Sequence, residues 1–280
     1  MINKEDFFIN EISASSHNGD DGAYIDGFVY SMDAFFEDVH FKKEWVDNAQ
    51  MSLKQIAYKA MLINISDAIV MNAKPKYALI SLAFPKSLSL DEIKELASGF
   101  NKAADDFGVE IIGGDTIENH KIDISITIIS KTKKPIFRKT LKEGDLLCYS
   151  GKLGGAKRDL KRLFRGEKIK KSSRFIKPKL RGEFFYEASK YISASMDISD
   201  GLFIDLKKLS KASNLGFEFL EPISDEVGTS AEEYELLLGV SPKHVKKLKS
   251  IAKKHKLKLT FFAKAIEGSY TNSYLDNHFN

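Results

Sequence analysis

The chain has 280 residues, of which 43% are hydrophobic and 29% charged, and its formal net charge is +4. This composition is typical of a soluble globular protein with one large or two ordinary domains, and no run of eighteen apolar residues predicts a membrane span. Because the N-terminus lacks the features of a secretory signal and the only cysteine, Cys148, cannot form an internal disulfide, we expect a cytoplasmic protein that does not bind membranes.

The N-terminal half alternates between strand and helix patterns. Apolar residues at alternating positions or in short runs predict four strands, at residues 28–33, 77–84, 109–112 and 122–130. Apolar residues three and four positions apart predict a helix over 52–72, and a capping box at Ser89 opens a second helix that ends near Gly108. These elements predict a sheet with helices packed against it.

A polar segment at residues 131–135 separates this half from a second set of elements. The later elements are predicted as strands near 145–149 and 192–197, and helices after 155, at 201–213 (ending near Gly216) and from Ser241-Pro242. We therefore expect an α+β protein with two domains, residues 1–135 and 136–280.

Asp67 is the most informative single residue, because it lies on the apolar seam of the predicted helix 52–72. A buried carboxylate costs several kcal/mol unless it is paired or bound to a cation. The alternative is that the helical phase is shifted by one residue and Asp67 faces water.

Four further stretches place aspartate beside glycine or serine where elements begin or end. They are Gly19-Asp20-Asp21-Gly22, the strand end at Asp33, Gly113-Gly114-Asp115-Thr116, and the segment Ser195–Leu202 with Asp197 and Asp200. Each has a structural alternative: an ordinary turn, a surface strand end, a tight turn and a helix cap, respectively. Taken together they favour a site where several Mg²⁺ ions lie between carboxylates and the phosphates of ATP.

The glycine-rich segment Gly151–Gly155 is not followed by the Lys-Ser/Thr of a Walker A loop, so we interpret it as a chain turn. His-Glu-x-x-His, Cys-x-x-Cys and Gly-x-Ser-x-Gly motifs are absent from the sequence. Zinc chemistry and serine hydrolysis therefore have no support.

The ordered motifs resemble the thiamine-monophosphate kinase family, within the aminoimidazole ribonucleotide synthetase superfamily, from about residue 17 to 240. The matching stretches are Gly-Asp-Asp-Gly-Ala (19–23), Ser-Met-Asp (31–33), Glu-Asp-Val-His-Phe (37–41), Lys-Ala-Met-Leu-Ile-Asn-Ile-Ser-Asp (59–67), Gly-Gly-Asp-Thr (113–116), Met-Asp-Ile-Ser-Asp-Gly-Leu (196–202) and Glu-Glu-Tyr-Glu-Leu (232–236). No single stretch is decisive, but the ordered series is specific.

The resemblance implies a PurM-like fold, with an N-terminal mixed sheet flanked by helices that dimerises and a C-terminal α/β sandwich. It implies transfer of the ATP γ-phosphoryl group to thiamine monophosphate with several Mg²⁺ ions, in a homodimer whose active site lies in the cleft between domains. Phosphoryl transfer of this kind depends on positioning and charge neutralisation rather than on a covalent nucleophile.

The same resemblance assigns roles to individual residues. The metal positions are Asp21, Ser31, Met32, Asp33, Asp67, Asp115, Asp197 and Asp200. The nucleotide contacts are Gly114, Asp115, Arg138 and Ser199, the substrate contacts are His40 and Glu232, and the catalytic set is Asp67, Asp115 and Arg138. For His40 the alternative is a hydrogen-bonded structural histidine.

The sequence also departs from the family pattern. Met32 replaces threonine, Ala97 lies where some members have a nucleotide-stacking tyrosine, and Ser230-Ala231 replaces Gly-Gly before Glu232. The late aromatic that stacks on the substrate has only two candidates, Tyr274 and Phe279. These departures affect substrate selection more than metal chemistry.

Two alternative functions remain. One is a related ATP-dependent synthetase or dehydratase of the same superfamily that activates a substrate oxygen. The other is a non-catalytic protein that uses its lysine-rich region at 243–264 to bind nucleic acid, with affinity that falls steeply with salt. We expect no nucleic-acid partner, because stacking aromatics are not interleaved with the lysines of the helix.

Overall fold

The computed structural model describes residues 4–12 and 15–274, which form two five-stranded sheets with helices packed against them. The α-helices of this part of the chain are α1 (Lys4–Ile12), α2 (Lys43–Asp47), α3 (Leu53–Val70), α4 (Leu90–Phe107), α5 (Gly155–Phe164), α6 (Gly182–Ala188), α7 (Leu202–Ser213), α8 (Asp225–Gly228) and α9 (Val245–Lys254). The strands are β1 (Ala23–Ile25), β2 (Phe28–Phe36), β3 (Lys74–Phe84), β4 (Glu110–Glu118), β5 (Asp123–Lys131), β6 (Leu146–Ser150), β7 (Ala194–Asp197), β8 (Leu215–Phe219), β9 (Leu236–Val240) and β10 (Leu259–Glu267). Short 3₁₀ turns lie at Arg138–Thr140, Ser189–Tyr191 and Pro242–His244.

The first sheet has the order β1-β2-β5-β3-β4, with β3 and β4 parallel and the other neighbours antiparallel. This is the mixed sheet that the sequence predicts. The isoleucines at alternate positions 122–128 are buried under α3, as their period of two requires. On the opposite face of the sheet, which we call the open face, Tyr30, Met32 and Leu79 are exposed.

Helix α3 is the central element of the protein. It begins at Ser52, whose side chain accepts a hydrogen bond from the backbone N–H of Gln55, while the Gln55 side-chain oxygen accepts one from the backbone N–H of Ser52. The helix is buried on almost every side. The sequence predicted a one-sided apolar seam. That prediction was too narrow, because the first sheet, α4 and the second half of the chain all pack around this helix.

The second sheet has the order β7-β9-β6-β10-β8, and all of its neighbours are antiparallel. Its predicted strands and helices are present, and α7 ends at Ser213 as predicted, but the residue that stops it differs. Asn214, in the left-handed conformation at φ 57°, ends this helix in place of Gly216. Asparagine tolerates that conformation better than most residues, so it serves as the helix stop.

Strand β4 excludes the tight turn that was the structural alternative for the Gly-Gly-Asp motif. The strand continues through Gly113, Gly114 and Asp115 to Glu118, paired with β3. A side chain at Gly114 would place its Cβ 1.7 Å from the carbonyl oxygen of Ile80. The glycine is therefore needed for close packing between two parallel strands.

No helix in the described ranges, 4–12 and 15–274, is long and apolar enough to cross a membrane. Cys148 is fully buried on β6, as its apolar neighbours predict.

Candidate functional site

Three aspartates from distant parts of the chain meet at the junction of the two sheets. Asp21 precedes β1, Asp67 lies in the last turn of α3, and Asp197 ends β7. One carboxylate oxygen of each lies within 4.8 Å of the others. The chain separation of these residues means that only the folded protein can bring them together.

Asp33 on β2 adds a fourth carboxylate to this group. Burial, with the charge of Asp21 as a further cause, raises the pKa of Asp33 to about 6 and that of Asp197 to about 8. Burial and the charges of Asp33 and Asp197 raise the pKa of Asp67 well above its ordinary value. The four groups therefore resist carrying full negative charge together unless a cation joins them.

The nearest fixed positive charge is Arg138, in the 3₁₀ turn after the first sheet. Its Nε donates to Asp21 Oδ2 at 3.2 Å, a second guanidinium nitrogen binds the other oxygen, and its backbone N–H donates to Asp20 Oδ1 at 2.9 Å. Lys208 on α7 pairs with Asp200, which lies at the edge of the same region. Two cationic side chains do not balance this many acidic groups.

The donor set fits Mg²⁺. Carboxylate oxygens are the ligands that hard divalent cations prefer, and the close oxygens of Asp21, Asp67 and Asp197 belong to the only such cluster found among residues 4–12 and 15–274. Burial first, and the neighbouring carboxylates second, raise the pKa values of Asp33 and Asp197, so their charged forms are unfavourable here without a nearby cation. Mg²⁺ would supply that charge.

Hydrogen bonds to neighbouring polar groups hold the acidic residues in place. Ser66 Oγ donates to Asp197 Oδ2 at 2.5 Å, which joins α3 to β7. The side-chain oxygen of Asn64 accepts from the backbone N–H of Asp33 at 2.8 Å, and the Asn64 carbonyl accepts from Ser31 Oγ at 3.3 Å. The sequence alone assigned no separate role to Asn64 or Ser66, although both lie in the motif 59–67 that ends at Asp67.

Met32 lies differently from its neighbours Ser31 and Asp33. Its side chain is 65% exposed on the open face of the first sheet, whereas Ser31 and Asp33 face α3. Since side chains alternate along a strand, the thioether cannot reach the aspartate cluster. A metal ligand at Met32 would therefore have to be its backbone carbonyl, and this role stays a prediction.

The structure does not bring Asp115 and Gly114 to the cluster within one chain. The strand register runs from Ala34 beside Asp33 through Ser125 and Ser81 to Asp115. Three steps between strands amount to about 14 Å. Asp115 is exposed on the opposite edge of the sheet, too far from the aspartate cluster of the same chain to share a metal ion with it directly. Its metal and nucleotide roles stay predictions.

His40 follows β2 and has structural contacts of its own. Its Nδ1 accepts a hydrogen bond from the backbone N–H of Phe36 at 3.0 Å, and its ring stacks on Phe35 with 5.0 Å between centroids. Because Nδ1 is the acceptor, the ring proton of neutral His40 lies on Nε2. The hydrogen-bonded structural alternative is therefore present in the fold, and the substrate contact stays a prediction.

Glu232 and Ser199 belong to two segments that bind each other through their backbones. The N–H of Glu232 donates to the Ser199 carbonyl at 2.6 Å, and the N–H of Tyr234 donates to the Ile198 carbonyl at 2.9 Å. The Glu232 carboxylate also binds Lys59 of α3. The predicted substrate contact is thus anchored both to the predicted nucleotide contact and to the central helix.

A carboxylate of the protein binds the backbone directly after the glycine-rich turn 151–155. The Glu233 carboxylate accepts hydrogen bonds from the backbone N–H of Ala156 at 3.0 Å and from Ser230 Oγ at 2.6 Å, at the start of α5. This protein carboxylate occupies the place where a phosphate would bind. The interpretation of the segment as a turn agrees with this geometry.

Of the two candidates for the late stacking aromatic, the structure describes only Tyr274. Tyr274 stacks on Phe203 with 4.9 Å between ring centroids, and its hydroxyl donates to Asp225 Oδ1 at 2.6 Å. It therefore packs beside the start of α7, close in sequence to the Asp197–Asp200 motif. Phe279 lies outside the described residues.

Comparison with known proteins gives consistent matches over both halves. The family profile for the AIR synthase related protein, N-terminal domain, matches residues 19–132, and the C-terminal domain profile matches residues 142–275. Thiamine-monophosphate kinase of Aquifex aeolicus (strain VF5) is 30% identical over 229 residues, covering 77% of this chain and 73% of that protein. The enzyme of the same name from Leptospira interrogans serogroup Icterohaemorrhagiae serovar Lai is 32% identical over 240 residues, covering 78% and 76%. A solved structure of AaThiL complexed with AMPPCP and TMP has a TM-score of 0.82 at 25% identity, covering 96% of this chain and 94% of that one.

Proposed function

The chain belongs to the thiamine-monophosphate kinase family, and we propose that it transfers the γ-phosphoryl group of ATP to thiamine monophosphate, giving thiamine diphosphate and ADP. The observation that carries this proposal is the convergence of Asp21, Asp67 and Asp197 from both halves of the chain. A cluster of buried carboxylates suits a metal–triphosphate complex, because only an intervening cation lets such anions approach phosphates.

We propose that Asp21, Asp67 and Asp197 hold Mg²⁺, with Asp33, Asp200 and Ser31 as further oxygen ligands and Met32 through its carbonyl. When bound, Mg²⁺ neutralises charge on the triphosphate and so reduces the repulsion between donor and acceptor phosphates. The number of ions is several, since six carboxylate and hydroxyl groups exceed what one ion with retained waters uses.

The side chains of this protein act mainly by positioning. The attacking group is a phosphate oxygen that is already ionised at neutral pH, so a strong general base is not required. Arg138 has five N–H donors, of which Asp21 engages two, and the others can donate to a phosphate oxygen of the nucleotide. Its guanidinium remains charged, because the nearby acidic groups raise its pKa further despite its burial.

We propose a homodimer formed over the open face of the first sheet. Strand register places Tyr30, Ile129 and Tyr77 in one row across this face, and Met32, Thr127 and Leu79 in the next. Four of these six side chains are exposed apolar or aromatic groups, Met32 most of all. An apolar sheet face beside the unpaired edge of β4 is the kind of surface that a second copy covers.

The proposed dimer also places Asp115 at an interface. Asp115 pairs with Ser81, whose side chain lies on the open face, so Asp115 and Gly114 lie in the surface that the second copy would cover. We propose that their contribution to a nucleotide site is made across that interface rather than within one chain.

We place the enzyme in the cytoplasm. Its one thiol, on Cys148, is buried and unpaired, and the proposed reaction uses ATP. Both features suit a reducing compartment that contains the nucleotide.

The test is a turnover assay with ATP and Mg²⁺ in which thiamine monophosphate, thiamine and an aminoimidazole precursor are offered separately. Formation of thiamine diphosphate only from thiamine monophosphate is the expected result. Product from the aminoimidazole precursor instead would favour the related synthetases of the superfamily. ATP binding without turnover of any substrate would favour a non-catalytic protein.

A further inference from the structure

Lys59 is a fully buried lysine in the middle of α3. Its side chain has 0% exposure, and its ammonium lies 3.0 Å from Glu232 Oε2 and 3.7 Å from the ring centroid of Phe175. Removing an ammonium group from water costs several kcal/mol unless close partners compensate. Burial accordingly lowers the pKa of Lys59, against the opposing effect of Glu232. The sequence pattern indicated only an apolar helix here, so it gave no reason to select Lys59.

The partner of Lys59 has an unusual backbone. Glu232 has φ 57° and Tyr234 has φ 50°, which places two non-glycine residues within three positions in the left-handed region. Such conformations are unfavourable for residues other than glycine and persist only where surrounding contacts impose them. The contacts here are the two backbone hydrogen bonds to Ile198 and Ser199, and the ion pair to Lys59.

The same lysine also approaches the second predicted substrate contact. The ring of Phe35 lies with its centroid 5.5 Å from the Lys59 ammonium, and its centroid lies 5.0 Å from that of the His40 ring. Phe35 is itself fully buried, so it connects Lys59 to His40 through rigid packing. Lys59 therefore lies between His40 and Glu232, which come from different halves of the chain.

We propose that Lys59 is a positioning residue for the acceptor substrate: its ammonium holds the Glu232 carboxylate, in its left-handed loop, at the distance from His40 that thiamine monophosphate requires. This inference rests on the proposed function and extends it to a residue without an assigned role. Lys59 does not contact the reacting phosphates and acts through Glu232. It should therefore govern the affinity for the acceptor rather than that for ATP.

The test compares Lys59→Met, which keeps the length and apolar stem of the side chain, with wild type and with Lys54→Met. Lys54 lies in the first turn of the same helix and is exposed, so it controls for loss of a positive charge from α3. We expect Lys59→Met to raise KM for thiamine monophosphate about 10- to 100-fold, the range for losing a hydrogen bond to a charged group, while KM for ATP changes less than about twofold. Lys54→Met should keep both values.

A double-mutant cycle separates positioning from a general structural role. If Lys59 acts through Glu232, Lys59→Met should add little to the rise in KM caused by Glu232→Gln. Independent, multiplying effects would overturn the inference, as would an unchanged KM for thiamine monophosphate in Lys59→Met, or equal rises for both substrates. If Lys59→Met does not fold, the double variant, which lacks the unpaired charge, is compared with Glu232→Gln. Failure of the double variant to fold would show that Lys59 is structural and overturn the inference. Wild-type protein that forms no thiamine diphosphate would instead refute the proposed function.

Discussion

Replacing Asp67 by asparagine should stabilise the metal-free protein and remove its response to Mg²⁺. Two unit charges 4.8 Å apart, the limit that the oxygens of Asp21, Asp67 and Asp197 satisfy, repel by about 3–4 kcal/mol at an effective dielectric constant of about 20. Partial protonation, which the raised pKa values indicate, and the attraction of Arg138 reduce that figure. We expect asparagine to relieve about 1–3 kcal/mol, or about 2–5 °C in apparent melting temperature for a chain of this size.

Mg²⁺ should stabilise the wild type and have little effect on Asp67→Asn. A cation that binds only the folded wild type stabilises it by about 2.7 kcal/mol at one hundred times its Kd, whereas Asp67→Asn has lost a central ligand. Thermal unfolding in EDTA and in millimolar Mg²⁺ measures both quantities without any turnover. Asp105→Asn, an exposed aspartate on α4, is the matched control and should behave like wild type. A less stable Asp67→Asn in EDTA that keeps the full Mg²⁺ shift would refute the metal assignment.

Three other outcomes are expected. Asp205 is buried on α7 with no hydrogen-bond partner for either carboxylate oxygen, and burial raises its pKa. The folded state therefore keeps a proton that the unfolded chain releases above about pH 4, so the stability of the wild type in EDTA should fall relative to that of Asp205→Asn as pH rises. A pH-independent difference in unfolding free energy between the two proteins would contradict this. Leu79→Asp, on the open sheet face, should convert the proposed dimer to monomers in light scattering, while Leu220→Asp, at an exposed position after β8 of the second sheet, should not; equal behaviour of the two variants would count against that interface. Replacing both Lys253 and Lys254 by glutamine on exposed α9 should leave turnover within about twofold of wild type, since exposed charges contribute little, and a large loss would support the basic-helix function.

Local chemistry explains which elements could be predicted from the sequence. The capping boxes at Ser52 and Ser89 fix the starts of α3 and α4, and the isoleucine alternation fixes the buried face of β5, because each depends on neighbours within a few residues. Strand β4 was misjudged at its glycines. The close contact that requires Gly114 is with Ile80, thirty-four positions away, and no local pattern records it.

The residues of the candidate site also differ in how far the sequence alone could predict them. Asp67 and Asp197 could be selected because each is an acidic residue in an apolar segment, which is a local inconsistency that calls for an explanation. Lys59 presents a similar inconsistency, but long lysine side chains are common on helix surfaces, and its partner Glu232 is 173 positions away. The outward position of Met32 follows from strand alternation once β2 is placed. The separation of Asp115 from the cluster depends on strand order, which the sequence alone does not specify.

Helix α3 contacts both a proposed metal ligand, Asp197, and a proposed acceptor contact, Glu232. Lys59 and Ser66 are seven residues apart, which is two helical turns, so both side chains lie on the same side of the helix. Each binds a carboxylate from the second half of the chain, Lys59 to Glu232 and Ser66 to Asp197. The two contacts are separated by about 10.5 Å of helix axis. Because this helix is buried along nearly its whole length, the spacing between Asp197 and Glu232 is set by α3 together with the backbone hydrogen bonds that join Ser199 to Glu232 and Ile198 to Tyr234. The proposed metal and acceptor contacts are therefore linked through one helix, so a shift in its register would move Lys59 and Ser66 together and displace both carboxylates.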